Sequence, residues 1–327
     1  MKKRGLIFLK IALSLGIILY IFRSKVNSAE CWYILKDANP FYLALTLLIF
    51  ISTVFNNVWR WNILLEVHQI VLGYWKVLRL YLVGMFFNTF MLGTTGGDLI
   101  KMYYVAKQTK QGVIAGTTII LDRLAGLFSL TLLAFTALLL RIDDPRLRGL
   151  LGPVALFLFA FITATLFFLW ATKHPKAQQW VRKLLARIRM QDFYDKIQSA
   201  LADYASHPRV FISVIGISLM IHISIVITNA LAGHALGITG VSLASYCAIV
   251  PVILFLSSIP ISIAGWGIAE ALYISFFGAF GVSPVEAVTL SILIKFFYYL
   301  LGLLSVVAYI TPGLDRVPKH ISKDNIL

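Results

Sequence analysis

With 327 residues, 59% of them hydrophobic and only 13% charged, the chain holds several apolar runs long enough to cross a hydrocarbon layer of about 30 Å. Too little sequence lies between those runs to bury a separate soluble core, which excludes a soluble catalytic domain. The formal charge of +15 sits beside apolar runs, where basic residues record insertion topology and attraction to anionic lipid rather than nucleic-acid binding, and Cys31 and Cys247 are too few for a disulfide framework or a metal site.

Lys2, Lys3 and Arg4 precede the first apolar run, Leu6 to Phe22. Lys10 inside it and Arg23 and Lys25 after it mark an uncleaved anchor rather than a signal peptide. Phe41 to Trp59 is the next span, ended by an interfacial group of Trp59, Arg60 and Trp61, with a polar connection from Glu66 to Arg79. Tyr81 to Leu92 and Leu99 to Ala106 are each too short to cross. Between them lies the glycine-broken stretch from Asn88 to Lys101, in which Gly93, Gly96 and Gly97 free the backbone and Asp98 is placed to cap the resumed helix. This pair is read as a re-entrant hairpin, which lipid tolerates only where protein or a watery cavity satisfies the freed peptide groups.

Val113 to Leu140 is a long span carrying Asp122 and Arg123, and Leu150 to Thr172 is the most uniformly apolar span. In Lys173 to Arg209, apolar residues recur every four positions with Lys and Arg on the other faces, the pattern of two short helices on a membrane surface. Val210 to Ala232 spans again. Leu243 to Phe280 is a second broken pair, interrupted from Ser257 to Glu270 by Pro260, Gly265 and Gly267, and Val285 to Ile310, with Lys295 inside it, is the last span.

The fold class expected is therefore an all-α polytopic membrane protein of about six full transmembrane helices plus two re-entrant broken hairpins. With this layout 20 Lys and Arg fall on one side and 6 on the other, which puts both termini in the cytoplasm. Two spans, a broken pair and one span occur twice in that order, first starting inside and then outside. That is the pattern of an inverted repeat within one domain over 1–327: a first repeat at about 1–140, a second at about 150–311, and 173–209 as a cytoplasmic amphipathic connection.

Six ionisable residues lie in this core, Asp98, Asp122 and Glu270 against Lys101, Arg123 and Lys295. Each charge at the bilayer centre costs about 2.5–3.5 kcal/mol on insertion scales, so each must find a partner. They either pin helices together or form a site that binds or moves a charged group; the acids flank helix starts in broken segments, which favours the site. Asp122 and Arg123, adjacent on a helix, point about 100° apart and serve different neighbours. Of the six histidines only His222 falls within a span, and a lone intramembrane histidine is more often packed or hydrogen-bonded than a ligand. No Ser/His/Asp set, metal cluster or phosphate loop can be assembled, so no catalytic residue, metal or cofactor is expected.

Asn88 with the stretch GTTGGDLIK, the stretch LDRLAGL from Leu121 to Leu127, PISIAGWGIAE from Pro260 to Glu270, and Gly281 in FGAFGV together resemble the membrane domain of the lysylphosphatidylglycerol synthase and flippase family. Two positions depart: the family often has proline where Leu92 stands and arginine where Lys101 stands, and the lysine keeps the charge without the planar fork that suits phosphate. The resemblance implies movement of an anionic phospholipid or a polyprenyl-phosphate-linked lipid between leaflets of the plasma membrane. It does not extend to aminoacyl transfer, which the family's enzymes carry on an added soluble domain.

The substrate-binding set is then Asn88, Gly96, Gly97, Asp98, Lys101, Asp122, Arg123, Gly265, Gly267, Glu270 and Lys295. The bases would attract phosphate, the helix start after Gly97 would add backbone donors, and the acids would orient the bases. The rival readings are an integral-membrane transferase acting on a lipid phosphate and a non-transporting accessory subunit. The partners expected are the membrane, that lipid and, as one option, a second copy of the chain.

Overall fold

The computed structural model describes residues 15–24, 26–90, 96–174, 207–258 and 265–311, with the side chains of 164–173 outside that description. The tips of both broken pairs and most of the amphipathic connection at 173–209 lie outside the described residues. Every regular element among those described is helical: α1 (Leu15–Ser24), α2 (Ser28–Lys36), α3 (Pro40–Val67), α4 (Tyr74–Phe90), α5 (Gly96–Thr109), α6 (Gly112–Leu139), α7 (Arg148–Lys173), α8 (Pro208–Ala235), α9 (Leu243–Ser258), α10 (Ile268–Gly278), α11 (Pro284–Leu304) and α12 (Val306–Ile310). Among the described residues four stretches are long and apolar enough to cross a membrane: α3, α6, α8 and the joined α11 and α12. α1, the first part of α7, α9 and α10 are shorter apolar helices.

Local sequence sets where these helices start and stop. Asn39 caps α3 by accepting from the Phe41 amide (3.0 Å), with Pro40 at the first helical position where no amide partner is needed. Ser283, Pro284 and Glu286 do the same for α11 as a capping box, the Glu286 carboxylate accepting from the Ser283 amide at 2.8 Å. α10 ends in a left-handed residue, Gly281 (φ +82°), with the paired bonds Val282 N to Phe277 O and Gly281 N to Gly278 O of a Schellman turn.

α3 stops by the same bond pattern around Gln69, whose φ is +58°. It therefore runs two turns beyond the boundary expected at Trp59, Arg60 and Trp61. Those residues are not an interfacial terminus: Arg60 and Trp61 are buried in the bundle. The expected loop from Arg23 to Pro40 likewise contains a helix, α2, capped by Asn27.

α3 and α8 form the centre of the molecule. They run antiparallel: the Asn39 amide donates to the Ala235 carbonyl (2.9 Å) at one end, and Leu64 packs with Val214 near the other. Around them α4 packs on α5 and α11, α6 on α5, α7, α8 and α9, and α10 on α9 and α11.

Two large apolar cores result among the described residues. One gathers Val58, Trp61, Leu65, Val77, Leu80, Ile100 and Tyr104 from α3 to α5, with Ala115 and Ile119 of α6. The other gathers Tyr246, Ile249, Tyr273, Phe277 and Leu290 from α9 to α11, with the end of α6 and α8. The first is closed from outside its own sequence neighbourhood. Ala308 and Tyr309 pack against it, and Arg79 of α4 donates to the backbone carbonyls of Ala308 (3.0 Å) and of Thr311, at the C-terminal end of α12.

Candidate functional site

The first broken pair is closed by backbone contact. α4 and α5 approach so closely at Gly84 and Gly97 that a Cβ on Gly97 would overlap the Gly84 carbonyl. The Gly97 amide, in the first turn of α5 and without a helical acceptor, donates to Asn88 Oδ1 at 2.7 Å. Asn88 thus ties the last turn of α4 to the first turn of α5.

Asp98 follows in that first turn. It is not the cap expected, because the helix already begins at Gly96. Its carboxylate instead takes two cations: Lys101 Nζ lies 2.8 Å from Oδ1, and Arg123 of α6 donates to Oδ2 from Nη2 (2.7 Å) and Nε (3.0 Å).

The two bases are not alike. The Lys101 stem fills the space that a side chain at Gly84 would need, and its ammonium lies 5.1 Å from the Trp61 ring centroid and 5.3 Å from that of Tyr81. Its side chain is 7% exposed, whereas that of Arg123 is 55% exposed. Lys101 is therefore enclosed by Asp98 and aromatic faces, and Arg123 is the base presented outward.

Asp122 serves a different neighbour, as its angle to Arg123 requires. It makes a two-bond fork with Arg60 of α3, at 2.7 Å to Nε and 3.0 Å to Nη2. Arg60 also donates to Ser218 Oγ of α8 (2.8 Å) and Asn57 Oδ1 (3.2 Å). One buried guanidinium thus pins α3, α6 and α8 together, with His222 bonded to the nearby Gly126 carbonyl at 2.9 Å.

Sequence reasoning missed Arg60 because tryptophans flank it. The signal that could have found it is the apolar run Ile63, Leu64, Leu65, which carries the helix past it. The balance of three acids against three bases is corrected accordingly: among the described residues the core holds Asp98, Asp122 and Glu270 against Arg60, Lys101, Arg123 and Lys295.

The second broken pair is built otherwise. Gly265 and Gly267 have φ of +73° and +85°, backbone that other residues resist. Glu270, three residues into the turn's exit, accepts from the Gly267 amide (2.7 Å) and pairs with Lys295 of α11 (2.5 Å). Lys295 Nζ lies 4.1 Å from the Trp266 ring centroid, and Trp266 Nε1 donates to Tyr299 Oη at 2.7 Å.

The structure therefore divides the expected set in two. Asn88, Gly96, Gly97, Asp98, Lys101 and Arg123 form one cluster, with Asp122 held beside it by Arg60. Gly265, Gly267, Glu270 and Lys295 form another, and no ion pair joins them among the described residues. No group of three or more His, Cys, Asp or Glu is placed to hold a metal among those residues.

Long apolar helices, broken pairs and buried ion pairs define a multi-pass helical membrane protein. The chain belongs to the family described as the lysylphosphatidylglycerol synthase transmembrane region, whose sequence model matches residues 7–305. That membership places it among membrane proteins that handle lipids. No curated relative matches it at a significant level.

Proposed function

We propose that the protein moves a lipid with an anionic phosphate headgroup, a phospholipid or a polyprenyl-phosphate-linked lipid, between membrane leaflets without covalent chemistry. The observation that carries this reading is the sharing of one carboxylate by two bases at the first broken pair. Asp98 pairs with Lys101 and Arg123 together, so among the described residues two bases meet on one carboxylate. It does so where Arg123 is more than half exposed. A phosphate adds negative charge to a place where two bases meet, through a guanidinium fork suited to it. Arg123 then contacts the headgroup, Asp98 orients Arg123, and Lys101 holds Asp98.

The architecture proposed with it is an inverted repeat of six spans and two re-entrant pairs in the plasma membrane, both termini cytoplasmic. What supports this is the reciprocity of the packing. Exchanging α3 with α8, α4 with α9, α5 with α10 and α6 with α11 turns the α4–α11 contact into α9–α6, α5–α6 into α10–α11, and α3–α4 into α8–α9, all of which occur.

Reconstitution of the full chain in phosphatidylcholine vesicles with fluorescent phosphatidylglycerol in one leaflet tests the reading. Transfer should exceed that of empty vesicles, and Arg123→Gln, which leaves the Asp98 and Lys101 pair intact, should lose at least tenfold in rate while remaining folded. A new covalent lipid product would point to a transferase instead. No transfer of phosphatidylglycerol, nor of a fluorescent polyprenyl monophosphate in the same vesicles, would remove the proposal.

A further inference from the structure

The Asp98 and Arg123 pair has a counterpart in the second broken pair of helices. Asp98 is the third residue of α5 and Arg123 the twelfth of α6; Glu270 is the third residue of α10 and Lys295 the twelfth of α11. Acid and base stand 25 positions apart in both. Helix crossing alone does not call for this, because an apolar contact would hold either crossing with no charge to desolvate.

The two pairs differ in state. Arg123 is 55% exposed and Lys295 only 16%, enclosed by Glu270, the Trp266 ring and the Gly265 carbonyl at 3.5 Å. Adjacent residues of α11, one turn past Lys295, reach toward both pairs. Tyr298 lies beside Thr89 at the end of α4, near Arg123 and Asp98. Tyr299 accepts from Trp266 and packs on Phe90 with ring centroids 6.4 Å apart.

We propose that Glu270 and Lys295 form a second site for the membrane-anchored phosphate, shut in this conformation, which receives the headgroup as the Asp98 and Arg123 site closes. This rests on the transport reading above. A headgroup phosphate reaching Lys295 competes with Glu270 and displaces Trp266. Because Trp266 is bonded to Tyr299, its movement is passed to the adjacent Tyr298 and so to Thr89 and the first site. Register-equivalent pairs in unequal states are what two halves of a transporter present when one face is open and the other is closed.

The test uses the full chain in phosphatidylcholine vesicles with a phosphatidylglycerol or a polyprenyl monophosphate carrying a diazirine beside the phosphate. After irradiation, adducts should map to two places, around Arg123 and around Trp266 and Lys295; the probe that labels both identifies the lipid class. Adducts at Arg123 alone, with either probe, would overturn the second site. The charge-free variant Glu270→Gln with Lys295→Met should keep first-site adducts within twofold yet lose at least tenfold in transfer in both directions. Parental transfer by that variant would equally overturn it, and if the variant does not fold, the labelling of the parent chain still decides. A parent that labels at both places but transfers nothing removes the transport reading alone.

Discussion

A methyl group on Gly97 would coincide with the Gly84 carbonyl oxygen, which is backbone and cannot swing aside. Gly97→Ala should therefore force α4 and α5 apart and cost about 1–3 kcal/mol or more. Gly216→Ala, at an exposed position of α8 with nothing within 4 Å, should be neutral or slightly stabilising. Thermal unfolding in detergent compares them, and equal midpoints would mean that the close approach is not required. Arg60 gives a second prediction at this scale. Arg60→Met alone leaves Asp122 buried without its partner, at about 3–5 kcal/mol. Arg60→Met with Asp122→Leu removes both charges and should recover most of that stability together with lipid transfer. Recovered folding without transfer would move this pair from a helix pin to the transport site. The charges of the site were legible in sequence because charge within an apolar run is costly and conspicuous. Which base faces outward was not, since enclosure of Lys101 depends on Trp61, Tyr81 and Gly84, which only packing brings together.

Among the elements, the starts of α3 and α11 were written locally in Asn-Pro and Ser-Pro-x-Glu, whereas the end of α3 was not, because a left-handed Gln69 replaces the usual glycine. α2 escaped because nine residues with mixed polarity carry no clear period. The turn between α6 and α7 shows a local device of another kind. Asp144 accepts from Arg146 (2.7 and 2.8 Å) and Arg141 (2.8 Å), and these bonds hold its carboxyl below the usual range for aspartate. With a folded-state value depressed below about 3.9, the stabilisation is complete above that pH and is lost as pH falls through the lower folded value. Hydrogen exchange in residues 140–147 should therefore stay slow down to about pH 4 and rise below it. Asp144→Asn should exchange fast at every pH. A parental turn that loosens near neutrality would contradict the assignment.

For the whole molecule, helical class and the two broken regions could be read from hydropathy and glycine. The reciprocity of helix contacts could not, because it is a property of pairs of elements far apart in sequence. Sidedness is the remaining global expectation. Single cysteines at Gly149 and Gly240, both with open space around a new Cβ, should react with an impermeant reagent from outside in a background lacking Cys31 and Cys247. One at Gln179 should not, and its labelling in intact cells would overturn the two re-entrant assignments.

The bond from Arg79 to α12 also sets an order of events during synthesis. Arg79 and Ala308 are 229 positions apart, which at about 5–20 residues per second separates their emergence by roughly 10 to 45 s. Until then α4 has neither Tyr309 to pack on at Phe86 and Phe87 nor the carbonyls of Ala308 and Thr311 that Arg79 holds. The half of the protein made first is thus completed last, and a nascent chain stalled before residue 308 leaves that core open on one side, a natural substrate for quality control in the membrane.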